Sequence, residues 1–188
     1  MSTWLLDSAH SSVEFIVKYA MLTNVRGRFT QYTGTFELDD EHPERSTALI
    51  EIDAASITTN NDMRDGHLRT PDFLDLEHNP KITFQTKRIT GKGDTFKAVG
   101  DLTIRGITHE VTLDIEYNGQ YGDAFGNTRR GFSAKTTINR KDFGVNWNVA
   151  LEAGGFLVGD QVKVDIEGQL LTKEAVERMM AAQAASKS

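Results

Sequence analysis

The chain has no cysteine among its 188 residues. That excludes a disulfide scaffold, a thiolate metal site and a cysteine nucleophile. It also lacks an excess of positive charge: the formal net charge is −6 and no basic run stands out. Phosphate binding needs a basic stripe, so nucleic acid is not an expected partner. No apolar run reaches the length of a bilayer span, so an integral membrane protein is not expected. The opening residues, MSTWLLDSAH, carry neither the basic region nor the long apolar core of a signal peptide, which makes the cytoplasm the expected location. With 38% hydrophobic and 26% charged residues, the composition suits a folded globular domain rather than a disordered chain. No internal repeat or linker interrupts it, and residues 1–188 read as one domain.

What is present is mostly period-two alternation. Val13, Phe15 and Val17 alternate with Glu14, Ile16 and Lys18, which puts the first trio on one face of a strand. Arg28 to Leu38 reads as continuous extended chain, with Gly34 marking a bend or bulge. Ile50 and Ile52 share a face, as do Ile82 and Phe84. Gly91 to Asp94 reads as a hairpin turn into a strand with Phe96, Ala98, Gly100, Leu102 and Ile104 on one side. Arg105–Thr108 turns again, and Val111, Leu113, Ile115 and Tyr117 alternate with acids and a threonine. A glycine-rich loop, Gly119 to Asn127, leads to Phe132, Ala134, Thr136 and Ile138, and the last strand aligns Val162, Val164, Ile166, Gly168 and Leu170. About eight strands at hairpin spacing, each with one apolar face, predict an all-β antiparallel sandwich or up-and-down barrel. Thr172 then caps a C-terminal helix whose apolar stripe is Ala175, Val176, Met179 and Met180.

The long interruption between strands, Ser56 to Pro80, holds most of the unusual polar residues. A loop of this length in a compact domain is usually functional or carries its own helix. Asp62 to Thr70 reads as that helix, stopped by Pro71, with a turn from Pro71 to Leu76. The segment is expected to cap one end of the barrel, with Arg64 paired to Asp65 or Asp62.

The chemistry-bearing clusters are weak. Asp7, His10, Ser11 and Ser12 lie too close on extended chain to converge as a triad, and His10 reads as bonded to nearby backbone. Asp65, His67, Glu77 and His78 straddle a proline without ligand spacing, so no metal is expected. Asp142-Phe143-Gly144 matches a kinase triplet but lacks the accompanying loops. Asn146, Trp147 and Asn148 suit either a barrel rim or a plug. On pattern alone, large and small inward residues interdigitate into a filled interior, because interiors pack densely.

Several ordered motifs together carry more. They are Asp7-Ser8-Ala9-His10-Ser11 with Val13-Glu14-Phe15, Val25-Arg26-Gly27-Arg28-Phe29, and Ser56-Ile57-Thr58-Thr59-Asn60 with Arg64-Asp65-Gly66-His67-Leu68 and Asp72-Phe73-Leu74-Asp75. Pro80-Lys81-Ile82-Thr83-Phe84, Gly100 to Thr108, Ile138 to Gly144 and Val158 to Val162 follow. Across Trp4 to Leu171 the chain resembles the YceI-like family of lipid- or polyisoprenoid-binding proteins. The resemblance implies an eight-stranded lipocalin-like barrel around an apolar channel, a bound isoprenoid, quinone or fatty-acid derivative as ligand, no other cofactor, and a homodimer. Small inward residues (Gly100, Ala134, Gly168) then read as room for the chain. Tyr19 stands where the family often has histidine, and many relatives are exported. On this reading Phe15, Val17, Phe84, Leu102, Phe132, Ile138 and Trp147 line the channel, and Arg64, His67 and Arg140 form its polar mouth. A binding protein rather than an enzyme is the expectation. The alternatives are an enzyme acting on such a lipid, with His67 and Asp65 as acid and base, and a filled-barrel stress-related interaction protein.

Overall fold

A computed structural model of the chain describes residues 1–187. Among the described residues, eleven strands join in one antiparallel sheet: β1 (Ser2–Leu6), β2 (Ser12–Tyr19), β3 (Thr23–Phe29), β4 (Tyr32–Leu38), β5 (Thr47–Asp53), β6 (Ile57–Thr58), β7 (Lys81–Lys92), β8 (Thr95–Ile104), β9 (Ile107–Gly122), β10 (Thr128–Asn139) and β11 (Val158–Thr172). The extra strands beyond eight are fragments. β1 and β2 both pair with β11, one after the other along its length. β4 pairs with β1 while β3 pairs with β2, and β5 pairs with β4 while β6 pairs with β3. Each of these three couples is therefore one strand broken in the middle. Counted so, eight strands follow one another in chain order, and β1 meets β11 to close the ring. This is an up-and-down barrel without a free edge in its closed half.

The extended stretch expected from Arg28 to Leu38 is thus interrupted at residues 30–31, and β1 precedes the first strand read from the sequence. The three breaks lie side by side and are stitched by side chains. Ser56 Oγ accepts from the amides of Thr30 and Gln31 at 3.1 and 3.0 Å. The Tyr32 hydroxyl donates to the Ser11 carbonyl at 2.6 Å, and Ser11 Oγ accepts from the Gln169 amide at 3.0 Å. Backbone groups that leave the ladder at the breaks so find partners.

Past the breaks, β6 pairs with β3 but not with β7, whereas β5 pairs with β7 up to Asp53–Lys81. The wall parts there, and residues 59–80 fill the gap. They contain α1 (Asp62–Leu68), capped by Asn61, whose Oδ1 accepts from the Arg64 amide at 2.9 Å. The helix is two residues shorter than the sequence suggested, because Arg69 and Thr70 already form the capping turn before Pro71. The 19–23, 59–80, 104–107 and 140–157 connections gather at this end, which we call the mouth. Loops 39–46, 93–94 and 123–127 gather at the other end, the base. The glycine-rich connection is only residues 123–127, because β9 extends to Gly122.

The C-terminal helix α2 (Lys173–Ser186) starts at Thr172, whose hydroxyl accepts from the Ala175 amide at 3.2 Å. Ala175 is fully buried in the first turn, Arg178 donates to Asn127 Oδ1 at 3.0 Å in the second, and Met179 and Met180 are exposed. No helix among the described residues is long and apolar enough to cross a membrane.

Candidate functional site

The inward faces of the strands surround an apolar lumen rather than a filled core. Phe15, Val17, Leu102, Phe132, Val162, Val164 and Ile166 point inward yet remain only half-buried, because the lumen is open against them. Two cavities occupy it. The one at the mouth has about 550 Å³ and the one at the base about 620 Å³. Both touch Ile50, Phe84, Leu113, Phe132 and Ile166, so the two meet at one level of the barrel. Each lies in the size range of small-molecule sites.

All ten residues selected from the sequence line the mouth cavity: Phe15, Val17, Phe84, Leu102, Phe132, Ile138, Trp147, Arg64, His67 and Arg140. Period two placed the strand residues correctly. The inward glycines are a different matter. A Cβ at Gly168 would lie 2.2 Å from the Phe132 ring, and one at Gly100 would lie 2.6 Å from the Phe84 ring. Each glycine is a seat for a phenylalanine and is not open room for a ligand. The glycines widen the lumen indirectly, by letting the rings lie close to the wall.

The polar residues at the mouth are mostly structural. Asp65 is 4% exposed and accepts from the Thr59 amide at 2.8 Å, the Thr59 hydroxyl at 2.6 Å and the Thr58 hydroxyl at 3.2 Å. Burial pushes its carboxyl up, but these hydrogen bonds and the Arg69 charge outweigh that and hold it below the ordinary aspartate range. The expected Arg64–Asp65 or Arg64–Asp62 pair does not form. Arg64 instead donates to the Thr59 hydroxyl at 2.7 Å and to the Thr59 carbonyl at 3.0 Å. Arg69 donates to the carbonyls of Ala55 and Ile57. Three side chains of the α1 segment are therefore spent on residues 55–59, and the segment is a fixed wall of the mouth.

Arg140 is 5% exposed and donates to the carbonyls of Gly159, Val145, Trp147 and Val158 at 2.7–3.2 Å. It braces the 140–157 connection, and its donors face the backbone. Burial lowers its proton affinity, opposed by Asp160 at 3.7 Å. His67 is the exception. Its Nε2 lies 2.8 Å from Asp72, and its ring meets Phe73 and Trp147 edge-on at 5.0 and 4.8 Å. Trp147 and Phe73 touch at 5.4 Å. These aromatic geometries are favourable beyond simple burial. Trp147 therefore packs into a fixed aromatic trio on the mouth wall. Because His67 pairs with Asp72, and Asp65 is held ionised elsewhere, the acid–base couple of the alternative reading is not assembled.

Large apolar side chains ring the outside of this opening. Met63 is 88% exposed, Leu22 82% and Met21 62%. Tyr19 and Phe156 are exposed nearby, and Met21 packs over Gly155. Among the described residues no group of three or more metal-ligating side chains gathers. His10 bonds the Asp7 carboxylate at 2.9 Å rather than a backbone group.

The base is built differently, and sequence reading missed it. Arg130 lines the base cavity, makes a bidentate pair with Asp40 at 2.7 and 2.9 Å, and lies 4.4 Å above the Trp4 ring. On the outer side of the same strand, Arg129 donates to Asp7 at 2.6 Å and to Asp123 at 2.9 Å. The separation of Asp7 and Arg129 by 122 positions gives no local signal of this contact. The one hint was Asp123 four residues before Asn127, a pattern that closes the β9–β10 turn on itself.

The model of the YceI-like domain matches residues 4–170. The chain belongs to the YceI-like family. A UPF0312 protein of Staphylococcus aureus (strain bovine RF122) is 40% identical over 175 residues, covering 93% of this chain and all of that one. Among solved structures, the Campylobacter jejuni YCEI protein is 29% identical with a TM-score of 0.70, over 83% of this chain and 90% of that one. Burkholderia cenocepacia BcnA shares the fold, with a TM-score of 0.77 at 22% identity over 87% and 98% of the two chains. So does a polyisoprenoid binding domain from Saccharophagus degradans, at 0.65 and 14% over 92% and 99%.

Proposed function

We propose that this YceI-like protein binds one long-chain isoprenoid or related amphiphilic lipid in the barrel lumen, for transport, storage or sequestration. The observation that carries the reading is the apolar lumen itself, with cavities of about 550 and 620 Å³ meeting inside one barrel. Each methylene transferred from water into it contributes about 0.8 kcal/mol. Ten or more such groups outweigh the ordering costs of binding. The name of the Saccharophagus degradans domain, a polyisoprenoid binding domain, supports the same ligand class. The strand residues Phe15, Val17, Phe84, Leu102, Phe132 and Ile138 contact the tail, with Trp147 and His67 at the mouth. Arg64 and Arg140 contribute by shaping that mouth, since their donors are committed to backbone and threonine groups. The protein acts as a binder rather than an enzyme, and as a homodimer, to which the exposed Met179 and Met180 of α2 are suited.

Leu102→Glu tests this directly. A carboxylate in the lumen is expected to abolish uptake of an added polyprenyl lipid while circular dichroism stays native. Undiminished uptake by the folded variant would overturn the reading.

A further inference from the structure

The two chambers meet at a waist, and the residues that make it are specific. Phe36 on β4 and Phe132 on β10 touch, with ring centroids 5.7 Å apart. Their strands are not neighbours; β1 and β11 lie between them in the ring. The contact therefore reaches inward past two strands and narrows the lumen. Phe132 and Phe84 on β7 belong to the level shared by both chambers, and Phe36 lines the base chamber beside them. Phe132 is held back from the passage only because Gly168 on the paired strand lacks a Cβ; a methyl there would lie 2.2–2.3 Å from two ring atoms. Contacts that short force the ring away from the wall and into the lumen, and the backbone is not among the clashing atoms.

We propose that Phe132, seated on Gly168, is a chain-length gate: one lipid tail threads the waist and fills both chambers, and the seat decides whether it passes. The inference rests on the lipid-binding reading above. It adds which residue discriminates among tails. Short tails fill the mouth chamber alone and ignore the gate. Long tails gain from the base chamber only while the ring lies flat against Gly168. At the base the lining turns charged at Arg130 and Asp40, where an apolar tail is expected to stop.

The test is a ladder of prenyl alcohols of graded length, measured for binding to the whole protein. Wild type is expected to bind more tightly as tails lengthen beyond what the mouth chamber holds. Gly168→Ala is expected to leave short tails unchanged and weaken long ones by about tenfold or more, the effect of roughly two methylenes left in water. Adding Phe132→Ala to that variant removes the ring the methyl displaces and is expected to restore the long tails. This rescue separates a gate from mere loss of stability. Equal loss for short and long tails, or no rescue in the double variant, overturns the gate while leaving lipid binding intact. A wild-type affinity that stops rising once the mouth chamber is full overturns it as well. If wild type binds no tail of any length, the lipid-binding reading fails and the gate falls with it.

Discussion

The two ends of the barrel are braced by opposite means. At the base, charge is paired with charge: Arg129 with Asp7 and Asp123, and Arg130 with Asp40 over the Trp4 ring. At the mouth, α1 and Arg140 spend their charges on backbone carbonyls and threonines, and the outer rim carries exposed Met21, Leu22 and Met63. Arg129 and its two carboxylates are little exposed, so losing one partner strands the other charge in low dielectric, whereas Asp40 stays exposed. Neutral partners and an apolar rim leave an opening whose surroundings favour a hydrophobic guest. Ion pairs brace one end, and an apolar rim marks the other as the side where the proposed lipid would enter.

The largest expected effect comes from breaking the base. Arg129→Met leaves two poorly exposed carboxylates without their cation, and it should cost about 3 kcal/mol. For a chain of this size that is a drop in Tm on the order of 10 °C, read by thermal melting. Unchanged melting would mean that the base is not the clamp.

The pH dependence follows from the same groups and comes next. Burial raises the Asp7 carboxyl, but the Arg129 and His10 hydrogen bonds dominate and hold it low. Asp123 is held far below the ordinary range, first by the Asn127 amide and then by Arg129. Asp65 is low as well. A carboxyl whose pKa is lower in the folded chain binds fewer protons there than when unfolded. Its stabilisation is therefore complete above the ordinary aspartate value of about 4 and is lost as pH falls below it. Wild type should lose stability through that acid window, and Arg129→Met should lose less.

At the mouth the effects are smaller. Asp65→Asn weakens three hydrogen bonds around Thr58 and Thr59 and should cost about 1–2 kcal/mol. Hydrogen exchange should quicken in residues 55–69 and not at the base; uniform quickening would contradict a local role. The smallest change in stability is expected from Leu22→Asp, within about 0.5 kcal/mol for an exposed side chain. If the rim receives the lipid, that variant should load more slowly from donor vesicles while the melting curve stays put.

Much of this was legible in the sequence because strand alternation has a fixed period. Val13–Phe15–Val17 and Val162–Val164–Ile166 line the lumen as the pattern required. What the pattern could not convey was register. Whether Gly168 faces open space or the Phe132 ring depends on their direct cross-strand pairing, which no local rule specifies. The breaks at residues 7–11 and 30–31 were hidden for a related reason: each segment is extended, and only the side-chain bonds of Ser11, Tyr32 and Ser56 show that the ladder is interrupted there. Arg64 lies next to Asp65 in sequence, yet one-residue neighbours on a helix project in different directions, so the apparent pair separates. Arg129 meets Asp7 across 122 positions, and separations of that kind are set by topology alone.

The most direct test of the central claim is native mass spectrometry of the purified protein, before and after organic extraction. The account predicts one lipid per chain, removed by extraction and regained when a polyprenyl lipid is supplied. A protein that is empty at purification and takes up no polyprenyl lipid would contradict it.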